Sequence, residues 1–308
     1  MWYNNNGYDI TAGRRSPFLK GSDILKKVIL GIDVGGSTTK IVGFTDEGRL
    51  IEPMFVHADD QITSIFVSFG KFTDTNGISL DQIEKIMVTG VGSTYLDKGI
   101  YGLKCYHVSE FDCVAAGGLY LSRLDRAVVT SLGTGTACVY ADKDGTVEYM
   151  GGTGVGGGTL IGLSRLTLGM DNITNICHLA ESGDLDKVDL RIKHITQKDS
   201  RLNLQSELTV SNFGMMSEIA ERSDIALGII NMVFETVGTL SVFASKNHGK
   251  CDIVLTGNLT VVPQAEKVFK NIGEMLNANF IIPEYSQFGT VIGAALLGSI
   301  KGEEPATK

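Results

Sequence analysis

Val28-Ile29-Leu30-Gly31-Ile32-Asp33-Val34-Gly35-Gly36-Ser37-Thr38-Thr39-Lys40 begins as an apolar run and changes character at Asp33. Val28–Asp33 reads as a short strand, Thr39–Thr45 as its antiparallel return, and Val34–Thr38 as the hairpin turn. A plain hairpin has no use for an acid, two glycines, three hydroxyls and a lysine together. Glycines Gly35 and Gly36 at the tip free backbone N–H groups to face an anion, and the hydroxyls of Ser37 and Thr38 add donors. Lys40 supplies positive charge. Asp33 stands where it can hold a Mg²⁺-bound water, since Mg²⁺ takes one or two carboxylates and completes its shell with phosphate oxygens. The turn is read as a phosphate site.

The same pattern then recurs. Ala127–Ser131 is a strand, Gly133-Thr134-Gly135-Thr136 a turn, Ala137–Ala141 a second strand and Thr146–Met150 a third, after the Asp144-Gly145 turn. Two copies of strand, glycine turn and strand imply two α/β lobes with a cleft between them. The boundaries expected are a polar extension over 1–27, one lobe over 28–125, a second over 126–300 and a polar tail over 301–308. Facing turns of this kind can clamp a nucleoside triphosphate from both sides, and phosphoryl transfer is mostly positioning and charge stabilisation.

Three further segments fit such a cleft. Gly151–Thr159 holds six glycines in nine residues and opens a helix expected from about Thr159 to Leu168. A helix start with exposed N–H groups is an anion site, which makes Gly157 and Gly158 nucleotide-binding candidates. Gly257-Asn258 after the strand Cys251–Thr256, with Gly289 and Gly293 in the last helix, would let an adenine lie against bare backbone. Glu110 opens a helix over Glu110–Ser122, with Ser109 as N-cap and Asp112 as a capping acid. An alcohol attacking a γ-phosphate needs a carboxylate to take its proton, and Glu110 is the candidate base. An acid in a first helical turn also simply favours the helix dipole.

Composition narrows the class. Glycine accounts for 38 of 308 residues and proline for only 5, with 43% hydrophobic residues; an average chain has ~7% glycine. The excess therefore belongs to a folded chain. The net charge of −8 argues against general affinity for nucleic acid. Cys105, Cys113, Cys138, Cys177 and Cys251 are scattered without a C-x-x-C, as reduced thiols of a cytoplasmic protein would be. The apolar stretches Ile225–Phe234 and Val291–Leu297 fall short of the ~18 residues of a membrane span, and residues 1–27 lack the apolar centre of a signal peptide.

Together these residues resemble the actin, sugar-kinase and Hsp70 ATPase superfamily, and within it the type II (eukaryotic-like) pantothenate kinases. The resemblance runs from about Val28 to Gly298. It includes Gly151–Thr159, Ser182-Gly-Asp-Leu-Asp-Lys-Val-Asp-Leu190 and Leu208-Thr-Val-Ser-Asn-Phe-Gly214. It implies two ribonuclease-H-like lobes, a homodimer built partly on the long helix Ile225–Ser245, and ATP- and Mg²⁺-dependent phosphorylation of pantothenate in coenzyme A synthesis. Asp33 and Lys40 fall on the family's first phosphate turn, Gly133–Thr136 on its second, and Glu110 on its catalytic carboxylate. Thr134, Ala137, Tyr149 and Thr153 fall on the acceptor side. There the chain departs from the family twice, with Tyr149 where an arginine stands and Ala137 where a serine ends the second turn. A tyrosine lacks the fixed charge and bidentate fork of a guanidinium. The reading that follows is a small-molecule kinase, with a nucleotide-binding protein of different acceptor or little kinase activity as the alternative. An iron–sulfur ATPase activator of the acyl-CoA dehydratase type would share the first turn, but Cys138 and Cys177 do not lie in its cluster motifs.

Overall fold

The computed structural model describes residues 27–36, 38–57, 60–96, 99–196, 206–249 and 251–299. Ser37, nearly all of the expected 1–27 extension and the expected 301–308 tail lie outside them. Val28–Val34 (β1) pairs antiparallel with Thr39–Thr45 (β2), which pairs antiparallel with Leu50–Val56 (β3). Gln61–Asn76 (α1) then leads to Ile83–Thr89 (β4) and Cys105–His107 (β5), both parallel to β1. The sheet order is β3-β2-β1-β4-β5. Glu110–Ser122 (α2) closes this half.

The second half repeats the plan. Arg126–Leu132 (β6), Thr136–Asp142 (β7) and Val147–Thr153 (β8) form an antiparallel meander. Gly157–Leu168 (α3), Ile173–Ala180 (α4), the short pair Leu190–Arg191 (β9) and Thr209–Ser211 (β10), and Ile192–Ile195 (α5) follow. The chain continues through Arg222–Ser245 (α6), Ile253–Thr256 (β11), Ala265–Leu276 (α7), Phe280–Ile281 (β12) and Gly289–Ser299 (α8). The second sheet runs β12-β11-β6-β7-β8, so both sheets have three antiparallel strands followed by two parallel ones. The repeat expected from the two glycine turns is a repeat of whole sheets.

Boundaries moved where local signals were weak. β3 reaches Val56, and α1 runs from Gln61 to Asn76, where Gly77 caps it in the left-handed region. Asp60 is its N-cap, accepting from the amide of Thr63 at 2.7 Å. Ser109 does precede α2, but its side chain makes no capping hydrogen bond.

Two helices occupy the space between the sheets. β2 is buried at every residue, with α1 and α8 packed against it. The last helix, α8, lies against β1, β2 and β4, and α2 lies against β6, β7 and β11. The two cross at backbone contact. A Cβ on Gly117 would strike the carbonyl of Gly289, and one on Gly293 the carbonyl of Cys113. Only glycine allows this approach. On the far side of the second sheet, Ile229, Ile230, Val233, Phe234 and Val237 of α6 are fully or almost fully buried in one core with Leu255, Phe269 and Ile272. Each such side chain contributes roughly 1.5–3 kcal/mol by leaving water. The helix Arg222–His248 is long and apolar enough to cross a membrane, but 61% of its most apolar window is buried inside the protein. It is a core helix.

Candidate active site

β1 carries Asp33 to the edge of the cleft, and the hairpin register sets it directly across from Lys40. Burial pushes the Asp33 carboxyl up to about 6; the charge of Lys40 works against that rise and the charge of Glu110 adds to it. Asp33 thus feels the charges of two other residues singled out from sequence. Lys40 is buried, which lowers its pKa while Asp33 opposes the shift. Its Nζ donates to the carbonyl of Gln287 at 2.6 Å. The tip is closed by the amide of Gly35 donating to the carbonyl of Thr38 at 3.0 Å.

The second turn is built the same way. The amide of Gly133 donates to the carbonyl of Gly135 at 2.9 Å, leaving Thr134 at the tip. The tips meet across the cleft: a Cβ on Gly36 would lie 3.8 Å from Oγ1 of Thr134. Asn258 adds a third side, its Nδ2 donating to Oγ1 of Thr38 at 3.4 Å. Among the described residues, the amides of Gly36, Thr134 and Gly135 make no hydrogen bond, so the tips keep donors for an anion.

The glycine-rich loop acts differently from the sequence expectation. The amides of Gly157 and Gly158, expected to face an anion, donate to the carbonyls of Gly133 and Thr134, each at 2.9 Å. Oγ1 of Thr136 donates to the carbonyl of Val155 at 2.8 Å, and Oγ1 of Thr153 accepts from the amide of Val155 at 3.1 Å. The start of α3 therefore buttresses the second glycine turn from behind. That buttress also explains why α3 begins at Gly157, two residues before the expected Thr159: carbonyls of the turn bind the first helical amides.

Glu110 is the first residue of α2. The residue is exposed overall, yet the walls around its carboxyl displace water and raise its pKa above the usual carboxylate range. Beside it, Phe111 stacks on Tyr149 of β8 with ring centroids 4.3 Å apart and planes at 20°. Both rings stay partly open, at 38% and 51% exposure. A bulge at Met150 interrupts the pairing of β7 with β8 and sends Tyr149 toward α2, while Gly151 turns with φ of +113°. Ala137 pairs across with Gly152, and the Tyr149 hydroxyl lies 3.0 Å from where a Cβ of Gly152 would be. Phe111 and Gln287 were not singled out from sequence, because each acts through a partner far along the chain.

Gly257 turns with φ of +96° against the backbone of Leu132, and its amide donates to the carbonyl of Ser286 at 2.9 Å. The sequence placed an adenine against Gly289 and Gly293, but a Cβ on Gly289 would meet Thr256 of β11 and one on Gly293 would meet Cys113 of α2, so neighbouring elements fill both positions. Asn258 remains at the cleft.

Among the described residues no group of three or more His, Cys, Asp or Glu could hold a metal ion. The lone Asp33 carboxylate at the turn fits an ion of the Mg²⁺ kind, which keeps waters and phosphate oxygens in its shell.

A family model described as Fumble matches residues 127–277. A protein of Bacillus cereus (strain G9842) named type II pantothenate kinase is 28% identical over 278 residues, covering 87% of this chain and 97% of that protein. Its namesake in Staphylococcus aureus (strain Mu50) is 26% identical, covering 87% of this chain and 99% of that one. Among solved structures, the activator of the 2-hydroxyisocaproyl-CoA dehydratase from Clostridium difficile with bound ADPNP superposes with a TM-score of 0.62 at 16% identity, covering 88% of this chain and 94% of that one. A ROK family glucokinase from Streptomyces griseus in complex with glucose and AMPPNP gives 0.56 at 11%, covering 88% and 98%. At those identities the structural likeness is one of fold. The chain has two ribonuclease-H-like lobes of the actin-like ATPase fold, and over most of its length it is similar to the type II pantothenate kinases.

Proposed function

We propose that the protein is an ATP-dependent kinase that phosphorylates the hydroxyl of a small alcohol, with pantothenate the acceptor favoured by its likeness to the type II pantothenate kinases. The observation that carries the reading is Asp33, paired across the hairpin with Lys40 and within reach of the charge of Glu110, beside two glycine turns whose tips face each other. The turn amides cradle the phosphates. The positive end of Lys40 lies on the same side, held by Gln287 until a phosphate competes for it. Asp33 would hold Mg²⁺, which when bound would neutralise charge on the phosphates. Glu110 takes the proton from the acceptor hydroxyl as its oxygen attacks the γ-phosphorus, while the leaving oxygen stays with ADP. Its raised pKa brings it nearer to the proton it must accept.

Five free cysteines suit the reducing cytoplasm. Exposed Val210, Met215, Met216 and Ile219 suit coverage by a second copy in a homodimer. The alternative, a nucleotide-binding protein with little transfer activity, is favoured only by Tyr149 and Ala137 on the acceptor side. A coupled ADP-release assay with pantothenate, run on the wild type and on Glu110→Gln, separates the two. Acceptor-dependent release that the substitution abolishes supports the kinase; ATP binding without such release supports the alternative.

A further inference from the structure

An acceptor whose hydroxyl meets Glu110 must run the rest of its length over neighbouring surface, and Phe111, the next residue of α2, stacks on Tyr149 of β8. Stacked rings each keep one outer face and their edges, and at 38% and 51% exposure these faces are open to a ligand. Such faces attract apolar and amide groups and give a carboxylate nothing to bind.

Charges on the surrounding elements agree. α2 contributes the acids Glu110 and Asp112. Lys143, on the turn joining β7 to β8, pairs with Asp125 at 2.6 Å. Lys40 is buried and tied to the carbonyl of Gln287. Glu148 sits on the other face of β8, where Oε2 lies 3.5 Å from Nε2 of His248. A carboxylate drawn along the stack would therefore meet the like charge of Glu110 and no free cation among these residues. Ala137 and Gly152, paired across β7 and β8, add wall without a polar side chain.

We propose that the Phe111–Tyr149 stack selects the acceptor, favouring an uncharged alcohol with an amide or apolar body over the same alcohol bearing a carboxylate. This rests on the kinase reading above and narrows its substrate class. Tyr149 is the specificity-determining residue, because its position on β8 is where a side chain of another charge would reverse the preference.

The probes are pantothenate and its primary carboxamide, which share the acceptor hydroxyl and differ in the charge at the other end. With saturating MgATP, kcat/KM for the carboxamide should exceed that for pantothenate by about tenfold or more. Tyr149→Arg should reverse the order, and Tyr149→Phe, which keeps the ring, should preserve it. ATP binding by each variant, followed by thermal shift, verifies that the fold persists. Preference for pantothenate in the wild type, or a ratio unmoved by Tyr149→Arg, overturns the inference and leaves the kinase reading standing. Turnover of neither probe while ATP still binds overturns both.

Discussion

Nζ of Lys40 donates to the main-chain carbonyl of Gln287 at 2.6 Å, tying the first phosphate turn to the chain just ahead of α8. The bond crosses between the two halves, so Lys40 helps assemble the cleft, and the proposed function adds a contact with the phosphates. Lys40→Met should lower stability by about 1–3 kcal/mol, the cost of leaving a buried acceptor without its donor. It should also weaken ATP binding. Calorimetry with and without ATP measures both, and an unchanged ATP affinity would remove Lys40 from the phosphate site.

Asp33 makes a separate prediction about pH. Its folded pKa, about 6, lies above its ordinary value of 3.8. Between those values the folded protein holds a proton that the unfolded chain has released, so stability falls as pH rises and the penalty is complete above the folded pKa. Relative to the wild type, Asp33→Asn should gain about 1–2 kcal/mol between about pH 4 and about pH 7, discounted because the group is only half-buried. Parallel denaturant titrations at several pH values give the difference. A flat difference would show that Asp33 is not desolvated.

Glu110 should show itself in rate, not affinity. Glu110→Gln should lower kcat by roughly 10²–10⁴-fold and leave ATP binding nearly unchanged. In the wild type kcat/KM should rise with pH as Glu110 ionises, with a midpoint above the usual carboxylate range because its carboxyl is desolvated. That limb should vanish in the variant. Equal turnover by the two proteins would remove Glu110 as the base.

The buttress behind the second turn can be tested by one methyl group. A Cβ on Gly156 would lie 2.7 Å from the carbonyl oxygen of Thr134 and 2.8 Å from the main chain of Gly135, none of which can swing away. Gly156→Ala should cost about 1–3 kcal/mol and loosen ATP. Gly154→Ala, where a Cβ meets nothing within 4 Å, is the control and should stay within about 0.5 kcal/mol. Equal behaviour of the two would mean that the loop yields freely.

The duplicated plan was legible because each half opens on the same local signal, an apolar strand broken by a glycine turn and resumed by β-branched residues. Asp33 and Lys40 drew notice because an acid and a lysine flank a glycine hairpin, whereas Glu110 opens a helix as acids commonly do and stood out only through the family resemblance. β3 was harder to read, since Pro53 and Glu52 interrupt its apolar pattern; Pro53 is tolerated on an edge strand. The start of α3 was hidden because glycines are poor helix formers, and carbonyls of a distant turn hold them in place. The crossing of α2 with α8 and the Phe111–Tyr149 stack arise only when separated elements meet. No local pattern encodes either contact.

The central claim is acceptor-dependent phosphoryl transfer at the Asp33, Lys40 and Glu110 cleft. Its most direct test is phosphorus NMR of the protein with MgATP and either pantothenate or its carboxamide. One new phosphate monoester should appear for each ADP formed, dependent on the acceptor and lost in Glu110→Gln. ADP accumulating with inorganic phosphate alone, regardless of the acceptor, would contradict it.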